Sequence, residues 1–290
     1  DHPKFHPNKQ GFDYQNLVSY GNLGYWFIEK SSKQLLNYHT KDKNGRTFLT
    51  SHLKNQANSW LEDHHDKPFF LYFSTHVVHK PIAAKDSLLN KYQQEGVSME
   101  EPDAADYAAM HEHMDIAIGQ LLQKVRDIGE YKNTTIVFMS DNGGREPQTV
   151  NTPLRGGKGE LLEGGIRSPL IIKWPGHNKP GSVSSEPVVV DDIYPTLLEI
   201  AGLELIPKQH KDGISLAPIL KGEKDALNRD YLFWHYPHYN GHPYGKPSSA
   251  LRKGEWKLLE VFEYDSLELY NLKKDPGESN NLIEQYPEKA

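Results

Sequence analysis

No cysteine occurs anywhere in the 290 residues. That absence excludes disulfides, thiolate metal sites and a cysteine nucleophile within this chain. It assigns no compartment, because secreted bacterial proteins also do without disulfides. A basic excess is missing too: 33 Lys+Arg against 39 Asp+Glu leave a net charge of −6 with histidines neutral. This balance argues against a general binder of nucleic acid or membrane surfaces. No apolar run reaches the roughly 18 residues of a membrane helix, and neither internal repeats nor low-complexity tracts occur. Residue 1 is Asp and no signal-like stretch precedes the fold, so the chain reads as trimmed, with any targeting segment outside it.

What is present suffices for a core, since hydrophobic residues make up 37%. At about 150 residues per domain the length suggests two domains, or one large domain with an appendage. The first 45 residues are aromatic, polar and loop-like, and Asp1-His2-Pro3-Lys4-Phe5-His6-Pro7-Asn8 has no period. From Thr47 to about His64 the positions Phe48, Leu49, Leu53, Ala57, Trp60 and Leu61 follow helical spacing. Pro68-Phe69-Phe70-Leu71-Tyr72-Phe73-Ser74 reads as a strand buried on both faces. Met110, Met114, Ile118, Leu121, Val125 and Ile128 mark a long helix that Gly129 ends. Thr134–Ser140 and Leu170–Trp174 are further strands, and Asp192 to Gly202 is a short helix. Strands alternating with helices predict an α/β domain with a mostly parallel sheet flanked by helices.

The character changes after about Gly222. Tyr231–Trp234, Ser249–Arg252, Trp256–Val261 and Leu267–Tyr270 read as consecutive strands of a small C-terminal antiparallel β subdomain. The expected division is therefore 1–222 and 223–290, and Asn280 to Ala290 is expected to start a helix.

In open α/β sheets ligands bind beyond the carboxyl ends of strands. Three segments qualify: Ser74–Pro81, Ser140-Asp141-Asn142-Gly143-Gly144, and Leu154-Arg155-Gly156-Gly157-Lys158-Gly159-Glu160 running on to Glu163-Gly164-Gly165. Asp141 and Asn142 offer hard oxygen ligands suited to Ca²⁺ or Mg²⁺, although Asp-Asn-Gly on its own reads first as a turn. Two such residues cannot complete a six-ligand site. Lys158 between glycines can set a cation against an anionic group, or can simply be solvated on a surface loop. Its surroundings do not match a phosphate-binding loop. His76 and His79 lack a third ligand at zinc spacing, and His111 and His113 read as surface residues of a helix. Trp234-His235-Tyr236-Pro237-His238-Tyr239-Asn240-Gly241-His242-Pro243 suits a carbohydrate-facing loop or, equally, an aromatic core turn.

The order of these segments carries more than any one of them. Asp66-Lys67-Pro68-Phe69-Phe70-Leu71-Tyr72-Phe73-Ser74 followed by His79-x-Pro81 resembles the type I, formylglycine-dependent sulfatases. So do Asn133 through Asp141-Asn142-Gly143, Leu154-Arg155-Gly156-Gly157-Lys158-Gly159, and Glu163-Gly164-Gly165-Ile166-Arg167-x-Pro169. Tyr194-Pro195-Thr196-Leu197-Leu198, Asp212–Leu216, Trp256-Lys257-Leu258, Leu269–Leu272 and Asp275-Pro276 continue the likeness collinearly over nearly the whole chain.

The resemblance implies an alkaline-phosphatase-like fold and hydrolysis of a sulfate monoester, on a sulfated carbohydrate. It implies Asp141 and Asn142 as metal ligands, for calcium in preference to magnesium. It implies His79 and Lys158 as catalytic contacts to the sulfate. Arg155, His235 and His238 are the candidate substrate contacts. A periplasmic or extracellular location, no nucleic-acid partner and no membrane span complete the expectation. One departure is large. The formylglycine precursor motif, Cys/Ser-x-Pro-x-Arg, is absent, and Ser215-Leu216-Ala217-Pro218 does not replace it. The resemblance places that motif and further metal ligands before residue 1, so the chain alone is expected to be inactive. The alternatives are a non-catalytic binder of sulfated glycans and a phosphodiesterase or phosphonate hydrolase of the same superfamily.

Overall fold

The computed structural model describes residues 3–16, 26–29, 35–38, 47–95, 104–239 and 245–290. For Pro3, residues 26–29 and 35–38, and Thr47, the description covers the backbone alone. The chain forms two compact units, residues 1–133 and 134–290.

After two 3-10 turns, Pro3–Phe5 and Pro7–Lys9, the first unit contains a three-stranded antiparallel sheet of order β2-β1-β3, made of β1 (Trp26–Glu29), β2 (Leu35–Tyr38) and β3 (Thr47–Phe48). The strands at 26–29 and 35–38 correct the expectation that the first 45 residues are loop-like. Strands this short show too few alternations to stand out from polar flanks.

Helix α1 (Leu49–His64) buries Leu49, Thr50, His52, Ala57 and Leu61. After α2 (Asp86–Gln94), helix α3 (Ala104–Asp127) buries Ala105, Ala109, Met110, His113, Ala117, Leu121 and Val125. Both long helices follow the apolar spacing of the sequence. Gly129, at φ 84°, ends α3 in the left-handed conformation that glycine adopts without strain.

Two corrections concern this unit. The Pro68–Ser74 run joins no ladder among the described residues. Its odd positions Phe69, Leu71 and Phe73 pack on Leu61, Leu121 and Val125, while Phe70 and Tyr72 are 58% and 71% exposed. The run is thus buried on one face only. His113 is not a surface residue: it is 5% exposed and its Nε2 lies 3.0 Å from Ser51 Oγ. Ser51 Oγ accepts from Lys85 Nζ at 2.8 Å, which leaves its own hydrogen for the imidazole. His111, by contrast, is exposed, with Nδ1 donating to the Tyr107 carbonyl at 2.9 Å.

In the second unit β4 (Ile136–Met139) pairs antiparallel with β5 (Leu170–Lys173) in the register Val137 to Ile172. Every ladder among the described residues is antiparallel, so the expected parallel pairing is not found among them. The excursion between β4 and β5 returns the chain in the opposite direction and contains the short helix α4 (Glu163–Ile166). Helices α5 (Ile193–Ile200) and α6 (Ala217–Leu220) follow.

The last sheet is a meander in the order β6-β7-β8-β9. Its strands are β6 (Leu232–Tyr236), β7 (Ser248–Lys253), β8 (Trp256–Val261) and β9 (Ser266–Asn271), as the sequence predicts. Gly254, at φ 58°, makes the tight turn between β7 and β8. Ala250 and Leu259 of this sheet pack on Leu161 and Leu162, which ties the meander to the glycine-rich segment. Beyond Asn280 the expected helix reduces to a single 3-10 turn, Pro287–Lys289. Pro287 lacks the amide that a longer helix through this point would need.

Candidate active site

Two loops of the second unit are stitched together by backbone. After β4 the chain turns through Asp141-Asn142-Gly143-Gly144, with Ser140 Oγ donating to the Asn142 carbonyl at 3.0 Å. The Gly143 amide donates to Gly165 O at 2.9 Å, and the Lys158 amide donates to Gly144 O at 3.0 Å. Asn151 locks the junction: its Oδ1 accepts from the Gly144 amide, and its Nδ2 donates to Gly144 O and Gly156 O, each at 3.0 Å. Glu160 is buried and its Oε2 accepts from the Gly157 amide at 3.0 Å. Glycines are needed here because backbones approach too closely for side chains. A Cβ at Gly164 would lie 2.0 Å from Gly156 O, and one at Gly165 would lie 2.2 Å from Glu160 O.

The structure thus brings Asp141, Asn142 and the Lys158 backbone to one junction. Asp141 is exposed, while Asn142 and Lys158 are half-buried. Asp141 and Asn142 also line an open groove of about 2240 Å³, shared with Trp234 and Tyr236. The groove is too large and open to define a single ligand pocket, so the hydrogen-bonded loops define the candidate site instead.

His79 belongs to the first unit. It is exposed and donates from Nδ1 to the Lys80 carbonyl at 2.8 Å, which in the neutral ring leaves the lone pair on Nε2. Arg155 is engaged in the fold, with one guanidinium nitrogen donating to Tyr270 Oη at 3.0 Å and to Glu278 O at 3.1 Å. His235 is exposed on β6, and its Nδ1 lies 2.8 Å from Ser249 Oγ on β7. His238 is exposed and edge-on to Tyr236 at 5.4 Å. Asn240, Gly241, His242 and Pro243 of the aromatic loop lie outside the described residues.

As a metal site, Asp141 and Asn142 supply two oxygen-bearing side chains, against the six to eight oxygens that calcium takes. Among the described residues no group of three or more His, Asp or Glu is arranged to hold a metal ion. The donor set among the described residues is therefore incomplete.

Beneath the loops lies a group that the sequence reading missed. Lys257 is fully buried, with Nζ 3.1 Å from Glu163 Oε1 and 2.8 Å from Glu278 Oε1. Burial pushes the Glu278 carboxyl up, against the pull of Lys257. Burial also pushes the Tyr270 phenol up, helped by its hydrogen bond to Glu268. The signal was present in β8, where strict alternation puts Lys257 on the same face as the core residue Leu259.

The sequence profile of the Sulfatase family matches residues 3–203. The chain belongs to the sulfatase family. The profile described as N-sulphoglucosamine sulphohydrolase, C-terminal, matches residues 157–290. A sulfatase of Formosa agariphila is 38% identical over 258 residues, covering 82% of this chain and 46% of that protein. Human arylsulfatase A is 31% identical over 246 residues, covering 75% of this chain and 45% of that protein. The sulfatase chain thus spans about half the length of these relatives. Among solved structures, Ps i-CgsB superposes with a TM-score of 0.81 at 28% identity, covering 99% of this chain and 66% of that one. Its complex with k-i-k-neocarrahexaose gives 0.80 at the same identity. These neighbours establish the sulfatase, alkaline-phosphatase-like α/β fold for the chain.

Proposed function

We propose that the protein containing this chain hydrolyses sulfate monoesters on a sulfated saccharide. The observation that carries this reading is the Lys158 amide on Gly144 O at 3.0 Å, which sets the lysine loop beside the Asp141-Asn142 turn. Family membership supports the reaction class, and a solved relative at 28% identity in complex with k-i-k-neocarrahexaose supports a saccharide substrate.

In this reading Lys158 neutralises charge on the sulfuryl oxygens as the ester bond breaks. His79, when protonated, donates a hydrogen bond or a proton from Nε2 near the leaving oxygen. Asp141 and Asn142 would supply two of the ligands of a calcium ion, which when bound would offset further negative charge. A formylglycine, as the family's nucleophile, lies outside these residues. His235, His238 and Arg155 contact the substrate, and Arg155 also holds the loop through Tyr270 and Glu278. The antiparallel subdomain is taken to begin at residue 223, and the protein to act in the periplasm or outside the cell. No described helix is long and apolar enough to cross a membrane.

The test is sulfate release from a panel of sulfated saccharides by the full-length protein, measured by ion chromatography. Release that Lys158→Ala cuts by about 100-fold or more supports the reading. A folded protein that releases no sulfate from any of them sinks it. Preferential turnover of phosphate esters favours a phosphodiesterase, and saccharide binding without turnover favours a glycan-binding protein.

A further inference from the structure

We propose that Lys257, clasped between Glu163 and Glu278, is a positioning residue that fixes the Lys158 loop against the Asp141–Gly144 turn. The inference rests on the functional reading above and names a device for the same site. Three segments far apart in sequence meet at one ammonium group: β8 through Lys257, α4 through Glu163, and the C-terminal loop through Glu278. The second Glu278 oxygen accepts from the Glu163 amide at 2.7 Å, so the carboxylate grips both the side chain and the backbone of its neighbours.

The coupling to the site runs through consecutive residues. Glu163 is followed by Gly164, whose amide donates to Arg155 O at 2.8 Å at the head of the Lys158 loop. Next is Gly165, whose carbonyl accepts from the Gly143 amide at 2.9 Å. A displacement of Glu163 therefore reaches both loops within two residues. The backbone contacts at Gly164 and Gly165 leave little slack to absorb it. Arg155 adds a second strap to the same C-terminal residue, through Glu278 O.

Stability alone is a weak reason for such a cluster. A buried ion pair often stabilises no more than apolar residues of the same volume, while removing one partner strands a buried charge. Here two carboxyl groups face one ammonium group, so loss of Lys257 leaves both buried without their shared cation beneath the loops. Geometry is what the arrangement supplies.

The experiment uses the full-length protein, with amide hydrogen exchange and steady-state kinetics read on the same variants. In Lys257→Met the amides of Gly143, Lys158 and Gly164 are expected to exchange about 10-fold faster or more. The kcat for sulfate release is expected to fall about 100-fold, as for misplacement of a reacting group by about an ångström, with KM little changed. In the Lys158→Ala background Lys257→Met should cost little further kcat, because both changes remove the same contribution. Glu278→Gln keeps the shape and should act in the same direction; it carries the test if Lys257→Met fails to fold. Unchanged exchange at the three amides, or kcat losses that multiply independently of Lys158, overturns the proposal. If the wild-type protein releases no sulfate, the functional reading fails, and the exchange arm alone decides the positioning role.

Discussion

A Cβ on Gly143 would lie 1.7 Å from the carbonyl oxygen of Gly164, so the Asp141 turn and the Lys158 loop touch backbone to backbone. The obstacle cannot rotate away as a side chain could. Gly143→Ala is expected to break the Gly143 amide bond to Gly165 O and to cost about 1–3 kcal/mol, as overpacking does. Denaturant unfolding measures the loss. Gly119→Ala is the control, since a Cβ there meets nothing within 4 Å on α3; it should be neutral or stabilising by up to about 1 kcal/mol. Equal effects at the two sites would contradict the tight junction.

Asn151 makes three hydrogen bonds from one half-buried amide, to Gly144 N, Gly144 O and Gly156 O. Asn151→Ala leaves a donor and two acceptors at the junction without this partner, and the expected loss is about 1–3 kcal/mol. Asn151→Asp keeps the acceptor for the Gly144 amide but turns an oxygen towards two carbonyls. It should be at least as damaging as alanine. A neutral Asn151→Asp would show that solvent, rather than this side chain, satisfies those carbonyls.

His113 gives the first unit a pH dependence whose sign is fixed. Burial, followed by the like charges of Lys85 and Lys54, holds its imidazole down to about 4 from 6.5. Between those values the unfolded chain binds the proton and the folded chain does not, so stability falls as pH drops from about 6.5 towards 4. The expected contribution is about 1–3 kcal/mol, allowing for screening of a partly solvated cluster. His113→Gln should flatten that part of a stability-against-pH curve measured by denaturant unfolding. An unchanged slope would place the titration elsewhere.

What could be read from the sequence depended on how far each signal extends along the chain. The helical spacing of Leu53, Ala57 and Leu61, and that of Met110, Leu121 and Val125, survives because both helices pack an apolar stripe on a core. The meander was legible because four short strand-like runs follow one another with short turns between them. Phe70 and Tyr72 misled because an unbroken apolar run cannot tell one buried face from two. The collinear motifs pointed to Asp141, Asn142 and Lys158. Asn151, Glu163 and Glu278 stayed hidden because their roles arise only when distant backbones meet, which no local spacing records. His113 failed for a related reason: its partners Ser51 and Lys85 come from other segments.

The sugar-facing role proposed for the β6 edge divides a local effect from a structural one. His235 is exposed between Phe233 and Phe262, with ring centroids at 6.5 and 5.9 Å, and is held by Ser249 across the β6–β7 pair. Phe233 is itself largely exposed, so a stacking surface and an imidazole are presented together. Exposed positions of this kind tolerate truncation, and stability should change by no more than about 0.5 kcal/mol in His235→Ala or His238→Ala. If they bind sugar, each variant raises KM for a sulfated saccharide about 10-fold while leaving a small aryl sulfate ester unaffected, because only the saccharide reaches them. Comparison of KM and kcat for the two substrates in the full-length protein decides the matter. A rise in KM shared by both substrates, or a fall in kcat with neither KM moved, would assign these histidines to the architecture of the strand edge and not to the sugar.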